Sequence, residues 1–247
     1  MLLKAEQISK EFIRKRGESN VFQAVKPLNF TLAENALTIL RGASGSGKST
    51  LLNMLAGLLQ PTSGRIILND IGPDGTDSGR SNPNGAGSDG TDLYTLDDTE
   101  RSRLRNTYFG IMPQGQTALR SFNVLENVLL PYTIYGEKIT TKETGHAITL
   151  LDRLGIADLK DIMPSELSGG ELRRVCIARA IIKNPCILLA DEPTGDLDEE
   201  NTEIILNLFK TLAREGKSIL MVTHEKDIDS YADHLYYMKN GELSALS

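Results

Sequence analysis

Cysteine is scarce in this sequence: Cys176 and Cys186 are the two in 247 residues. They do not form a Cys-x-x-Cys pair, and each lies among Ile, Leu, Val and Ala, which predicts buried, inert thiols. Positive charge is not in excess. Lys plus Arg number 27 against 33 Asp plus Glu, a formal net charge of -6, which argues against a general grip on nucleic-acid phosphates. No run approaches the roughly 20 apolar residues that span a bilayer; the longest candidates, 186–190 and 128–130, are strand-sized or smaller. Glu6 comes too early for a signal peptide, so the expected compartment is the cytoplasm. The rest is ordinary for a globular chain of one or two domains, with 24% charged and 40% hydrophobic residues.

Strand-like and helix-like segments alternate, predicting a mostly parallel sheet wrapped by helices. The runs Ile187-Leu188-Leu189-Ala190 and Ile219-Leu220-Met221-Val222 read as strands buried on both faces. Between them, residues 201–213 place Ile204, Ile205, Leu208, Phe209 and Leu212 at helical spacing. Residues 2–8 and 25–32 look like antiparallel strands at the edge of the sheet, and 124–183 like a mostly helical lobe. The expected layout is a core of 1–120 and 184–247 with an N-terminal antiparallel β subdomain, and an inserted α-helical subdomain over 121–183. Residues 72–92 hold almost only Gly, Ser, Asp, Asn, Thr and Pro, which predicts a flexible surface insertion. The Asp-Gly-Thr repeats at Asp74 and Asp89 do not have the spacing of an EF-hand loop.

Gly42-Ala43-Ser44-Gly45-Ser46-Gly47-Lys48-Ser49-Thr50 fits G-x-x-x-x-G-K-[ST] between a buried strand and a helix. Glycines let successive N–H groups curl toward one anion, and the helix start adds its positive end. Lys48 would neutralise the outer phosphates and Ser49 would offer an oxygen to Mg²⁺. The pattern predicts a nucleoside triphosphate site of the P-loop NTPase type. The strand 187–190 then ends in Asp191 and Glu192, beside that turn in a doubly wound sheet. There Asp191 would hold Mg²⁺ and Glu192 would act as general base on water.

Leu167-Ser168-Gly169-Gly170-Glu171 opens another helix, with Ser168 well placed as its N-cap. Bare N–H groups and a hydroxyl at this end make a second anion site. Two phosphate-binding helix ends but one lysine-bearing turn point to two copies sharing each nucleotide.

Taken in order, the phosphate turn, the Leu-Ser-Gly-Gly-Glu segment, Asp191-Glu192 and His224 make the chain resemble an ATP-binding cassette ATPase subunit along nearly its whole length. The resemblance implies a head-to-tail dimer with ATP between the Lys48 turn of one copy and Ser168, Gly169 and Gly170 of the other. It also implies that Gln114 senses Mg²⁺ and the attacking water and faces a membrane permease, that His224 contacts the γ-phosphate, and that Asp198 belongs to a loop crossing the dimer interface. Phe12 stands where the family stacks an aromatic on adenine, with Phe22 as rival. The expected place is the cytoplasmic face of the membrane, with ATP and Mg²⁺ bound and no nucleic-acid partner.

Asp191-Glu192-Pro193-Thr194-Gly195 and Leu125-Glu126-Asn127-Val128-Leu129-Leu130-Pro131 resemble the lipoprotein-release and macrolide-export branch, which includes ATPases of peptide-antibiotic resistance. Three features depart from it: Leu172-Arg173-Arg174 in place of Gln-Gln-Arg, Met112-Pro113 before Gln114, and the 72–92 insertion. A chromosome-maintenance ATPase would need a long coiled coil between Gln114 and Ser168, and there are no sustained heptads there. A ribosome-bound relative would carry two cassettes, and a non-hydrolysing module would lack Lys48 or Glu192.

Overall fold

The computed structural model describes residues 3–13, 21–69, 90–115, 118–134, 136–195 and 197–246. Two sheets organise them. Strands β1 (Leu3–Ile13), β2 (Val21–Leu32), β4 (Ser63–Leu68) and β5 (Thr91–Asp92) form an antiparallel sheet in the order β2-β1-β4-β5. The second sheet contains β3 (Leu37–Arg41), β6 (Phe109–Met112), β7 (Ile187–Asp191), β8 (Ser218–Thr223), β9 (His234–Lys239) and β10 (Glu242–Ala245). Its order is β10-β9-β3-β8-β7-β6, parallel except for β10.

The apolar strands are explained by burial on both faces. Along β8, Ile219 and Met221 join one core cluster while Leu220 and Val222 join the other; along β7, Leu188 and Ala190 alternate with Ile187 and Leu189. One face is covered by the helical lobe and by α6 (Glu199–Arg214), the other by the antiparallel sheet and α1 (Lys48–Leu55). Between β4 and β6 the chain also forms the polar helix α2 (Asp98–Tyr108).

The helical lobe comprises α3 (Val124–Thr133), α4 (Thr141–Arg153) and α5 (Gly169–Ile181). Each begins with a reciprocal capping box, from Asn123 with Glu126, Thr140 with Glu143 and Ser168 with Glu171. In each, a polar side chain satisfies an otherwise unpaired amide and the Glu three residues on returns the bond. No helix among the described residues is long and apolar enough to cross a membrane.

Three expectations need correction. The N-terminal antiparallel strands do not extend the main sheet as its edge; they form a separate sheet with β1 inside it. Both also run further than 2–8 and 25–32, because Lys10 to Ile13 pair with Val25 to Val21 through the main chain even where side chains are exposed. The insertion expected over 72–92 is ordered at its end: Thr91 and Asp92 pair with Leu68 and Ile67. Residues 72–89, with Asp74 and Asp89, lie outside the described residues. On α6, Ile204 faces solvent while Leu206 is buried beside Ile205, Phe209 and Leu212. Cys176 is buried and Cys186 half-buried, both as free thiols, and burial pushes the Cys186 thiol pKa up.

Candidate active site

The site grows from the carboxyl ends of adjacent parallel strands, where an open α/β sheet leaves its crevice. The turn from Gly42 to Gly47 follows β3, Glu192 follows β7, His224 follows β8 and Gln114 follows β6.

The turn is fastened on several sides. Gly42 N–H donates to Thr223 O at 3.2 Å, Ser46 N–H to Ala43 O at 3.1 Å and Gly241 N–H to Ser46 O at 3.0 Å. Two of its glycines are required by space. A Cβ on Gly47 would lie 2.4 Å from the Ala24 carbonyl oxygen, and one on Gly42 2.3 Å from that of Met238. Gly47 also has φ +110, a region that L side chains rarely adopt. Ala43, Ser44 and Gly45 form an exposed lip, whereas Ser46 is buried and its hydroxyl has no hydrogen-bond partner.

Lys48 is buried, and its ammonium donates to Gly42 O at 2.7 Å and Ala43 O at 3.1 Å. Burial pushes its pKa down, and the negative charges of Glu192 and Asp191 oppose that shift. Ser49 and Thr50 follow in the first turn of α1. Asp191 is also buried, with Oδ1 unpartnered. Burial raises its carboxyl pKa and the Glu192 charge adds to this; the Ser49 hydrogen bond and the Lys48 charge pull the other way. A buried acid with one idle oxygen beside a serine hydroxyl suits a divalent cation, and the neighbouring ammonium suits the phosphate that carries it.

Glu192 has φ 50, uncommon for a non-glycine residue, and its N–H donates to Val222 O at 2.9 Å. The backbone bend turns the carboxylate toward the end of β8. There Oε2 lies 2.9 Å from His224 Nδ1 and accepts from Thr223 Oγ1 at 3.4 Å. Just past that pair, Thr194 Oγ1 donates to Glu225 Oε2 at 3.0 Å, so β7 and β8 are laced together beyond their ends. Gln114 is exposed on the bend after β6.

The helix start expected as a second anion site has different neighbours. Ser168 caps α5, accepting from Glu171 N–H at 3.4 Å, while Glu171 Oε2 accepts from the Ser168 N–H at 2.7 Å and its hydroxyl at 2.8 Å. These bonds hold the Glu171 carboxyl below the usual range. A Cβ on Gly170 would fall 2.2 Å from Asn201 Oδ1, whereas one on Gly169 would make only an ordinary 3.8 Å contact with Leu197. Asp198 caps α6 by accepting from Asn201 N–H at 2.8 Å. Asp196 lies outside the described residues. Phe12 and Phe22 are directly paired across β1 and β2 and so share one face, with Phe12 exposed and Phe22 half-buried. Lys10 Nζ sits 5.3 Å from the Phe12 ring centroid.

Motif reading assigns no role to Thr223, Glu225 or Arg173. Thr223 and Glu225 flank His224 and carry no pattern of their own. The signal for Arg173 was the departure from Gln-Gln-Arg.

Comparison with known proteins agrees with this geometry. The profile of the ABC transporter family matches residues 25–195. The lipoprotein-releasing system ATP-binding protein LolD of Bdellovibrio bacteriovorus is 36% identical over 97% of this chain and 99% of its own length. The macrolide export ATP-binding/permease protein MacB of Vibrio parahaemolyticus is 34% identical over 99% of this chain, which spans only 34% of that longer protein. Among solved structures, the dimeric bacterial ABC transporter cassette MJ0796 superposes with a TM-score of 0.82 at 31% identity, covering 100% of this chain and 99% of that one. The same cassette in a post-hydrolysis state with ADP and Pi also gives a TM-score of 0.82, at 30% identity. This chain belongs to the ABC transporter family, as one of its ATP-hydrolysing cassettes.

Proposed function

We propose that two copies of the chain pack head to tail around two ATP molecules and drive an integral-membrane permease from the cytoplasmic face of the membrane. One observation carries the reading. Lys48, Asp191, Glu192 and His224 gather at one crevice, while Ser168, Gly169 and Gly170 open a helix among different neighbours, so each protomer offers half of two sites. The dimeric state of MJ0796 supports this arrangement.

In this reading the amides of Gly42 to Gly47 and the Lys48 ammonium hold the phosphates, with Ser49 and Thr50 at the helix start, and Phe12 or Phe22 receives the adenine. Ser49, Asp191 and Gln114 would hold Mg²⁺, which when bound would neutralise phosphate charge. Glu192 accepts a proton from the attacking water. His224 orients that carboxylate and meets the γ-phosphate, which leaves ADP as its bond to the bridging oxygen breaks. Ser168, Gly169 and Gly170 contact the γ-phosphate held by the other copy, and Asp198 lies on the crossing loop.

The permease seat is an apolar cleft of about 400 Å³ between Leu58, Phe109, Ile111, Pro113, Leu130 and Ile134, rimmed by cations including Arg105 and Lys183. Pro113 adjoins Gln114, so pressure on the cleft reaches the site directly. LolD and MacB are named for lipoprotein release and macrolide export, and this chain is assigned to the same branch. Glu192→Gln tests the reading. ATP binding should persist, turnover should fall by roughly 10²–10⁴-fold, and ATP should convert monomer to a stable dimer in gel filtration. Near-normal turnover, or a monomer at saturating ATP, would overturn it.

A further inference from the structure

Arg173 stands where this sequence departs from its branch, and it is 7% exposed on α5. Its guanidinium is forked between two loops. Nη1 donates to the Gly115 carbonyl at 3.3 Å, and Nη2 donates to the Gly195 carbonyl at 3.2 Å. Gly115 follows Gln114 directly and has φ +89. Gly195 N–H donates to Glu192 O at 3.2 Å. A continuous path therefore runs from the backbone of Glu192 through Gly195 and Arg173 to the loop of Gln114. The same helix begins at the Ser168 cap, one and a half turns before Arg173.

The next residue adds a second tie. Arg174 Nη1 donates to Asn201 Oδ1 at 3.1 Å, and the Asn201 amide donates to Asp198 at 3.0 Å. Both arginines thus anchor the start of α5 to the segment from Glu192 to Asn201. Arg173 also reaches the Gln114 loop. Its chemistry is specific: a planar guanidinium presents separate nitrogens in a fixed fork, while a glutamine amide donates from one nitrogen and a lysine ammonium is a point donor.

We infer that Arg173 is a positioning residue that locks the Gln114 loop and the Glu192–Gly195 turn to the helix bearing Ser168–Gly170. One protomer's own hydrolytic side chains then move together with the phosphate contacts it lends its partner. The inference rests on the site roles proposed above, and it predicts that breaking the fork uncouples the two sites while leaving each able to hold nucleotide.

The test compares Arg173→Met, Arg173→Gln and Arg173→Lys in the full chain. Steady-state ATPase gives kcat, KM and the Hill coefficient; calorimetry gives ADP affinity. Arg173→Met should lower kcat at least tenfold and bring the Hill coefficient toward 1, with ADP affinity within threefold of the parent. Arg173→Lys should recover part of kcat, and Arg173→Gln less. If Arg173→Met does not fold, Arg173→Gln carries the same expectation. Unchanged kcat and Hill coefficient would overturn the inference, as would parallel loss of kcat and ADP affinity, which marks a purely structural role. Glu192→Gln run alongside separates the readings: normal turnover there refutes the site assignment, whereas a dead Glu192→Gln with a normal Arg173→Met refutes the fork alone.

Discussion

Replacing Asp191 by Asn should make the nucleotide-free chain more stable and the nucleotide-loaded chain comparatively weaker. Asp191 is 4% exposed and its Oδ1 has no hydrogen-bond partner. An unmet buried polar atom costs about 1–3 kcal/mol, more when charged. Asn keeps the shape and one idle oxygen but removes the charge, so a net gain of about 1 kcal/mol is expected, or about 2–4 °C in melting temperature for a chain of this length. The pH dependence has a definite sign. The folded pKa is raised above 3.8, chiefly by burial, so the folded state holds that proton more tightly than the unfolded one. The charged form therefore costs stability, and the cost is complete above the raised folded value. The advantage of Asp191→Asn should be full at neutral pH, shrink as the pH falls through the folded value, and vanish below the unfolded one. With Mg-ATP at 100 times Kd the parent gains about 2.7 kcal/mol, and the order of the two melting curves should invert. Differential scanning calorimetry from acid to neutral pH, with and without Mg-ATP, measures all of this. A lower melting temperature for nucleotide-free Asp191→Asn at pH 7, or a gap indifferent to acid, would refute the reasoning.

Lys48→Ala should abolish measurable ATP binding in calorimetry while leaving urea stability nearly unchanged, because the buried ammonium already bears a desolvation cost; retained affinity would remove Lys48 from the site. Gly47→Ala should cost at least about 2 kcal/mol in urea unfolding and destroy nucleotide binding, since it combines a left-handed φ with a backbone clash. Gly45→Ala, with φ +77 but open space around its Cβ, should cost only about 1 kcal/mol. Equal penalties at the two positions would show that the clash is relieved by movement of β2.

What the sequence revealed follows from how local each signal is. The phosphate turn, the acids after β7 and the cap at Ser168 are short segments whose residue types dictate their own backbone, so they could be placed before any tertiary information. The buried strands were equally plain, because alternation into two cores leaves no polar position to confuse the pattern. Other features depended on distant partners. Whether residues 3–13 extend one sheet or build another is decided by pairing with the distant β4, from Leu3 opposite Leu68 to Ser9 opposite Ser63, and residue periodicity is blind to that choice. The identical apolar character of Ile204 and Leu206 hides which one α6 turns inward. The contact between Glu192 and His224, and the fork of Arg173, join segments that only the packed sheet brings together. Arg173 could be noticed as unusual, but its two carbonyl partners carry no sequence signature.

The side-by-side order β3-β8-β7-β6 also acts as a ruler. Neighbouring strands are spaced by about 4.8 Å, so the stations proposed to grip phosphate, prime water and receive the permease signal are graduated across roughly 14 Å. Lengthening β7 by a single residue would send Asp191 to the opposite side and shift every later mark. A substitution at one tip alters one station, whereas an insertion in the scale beneath displaces several at once.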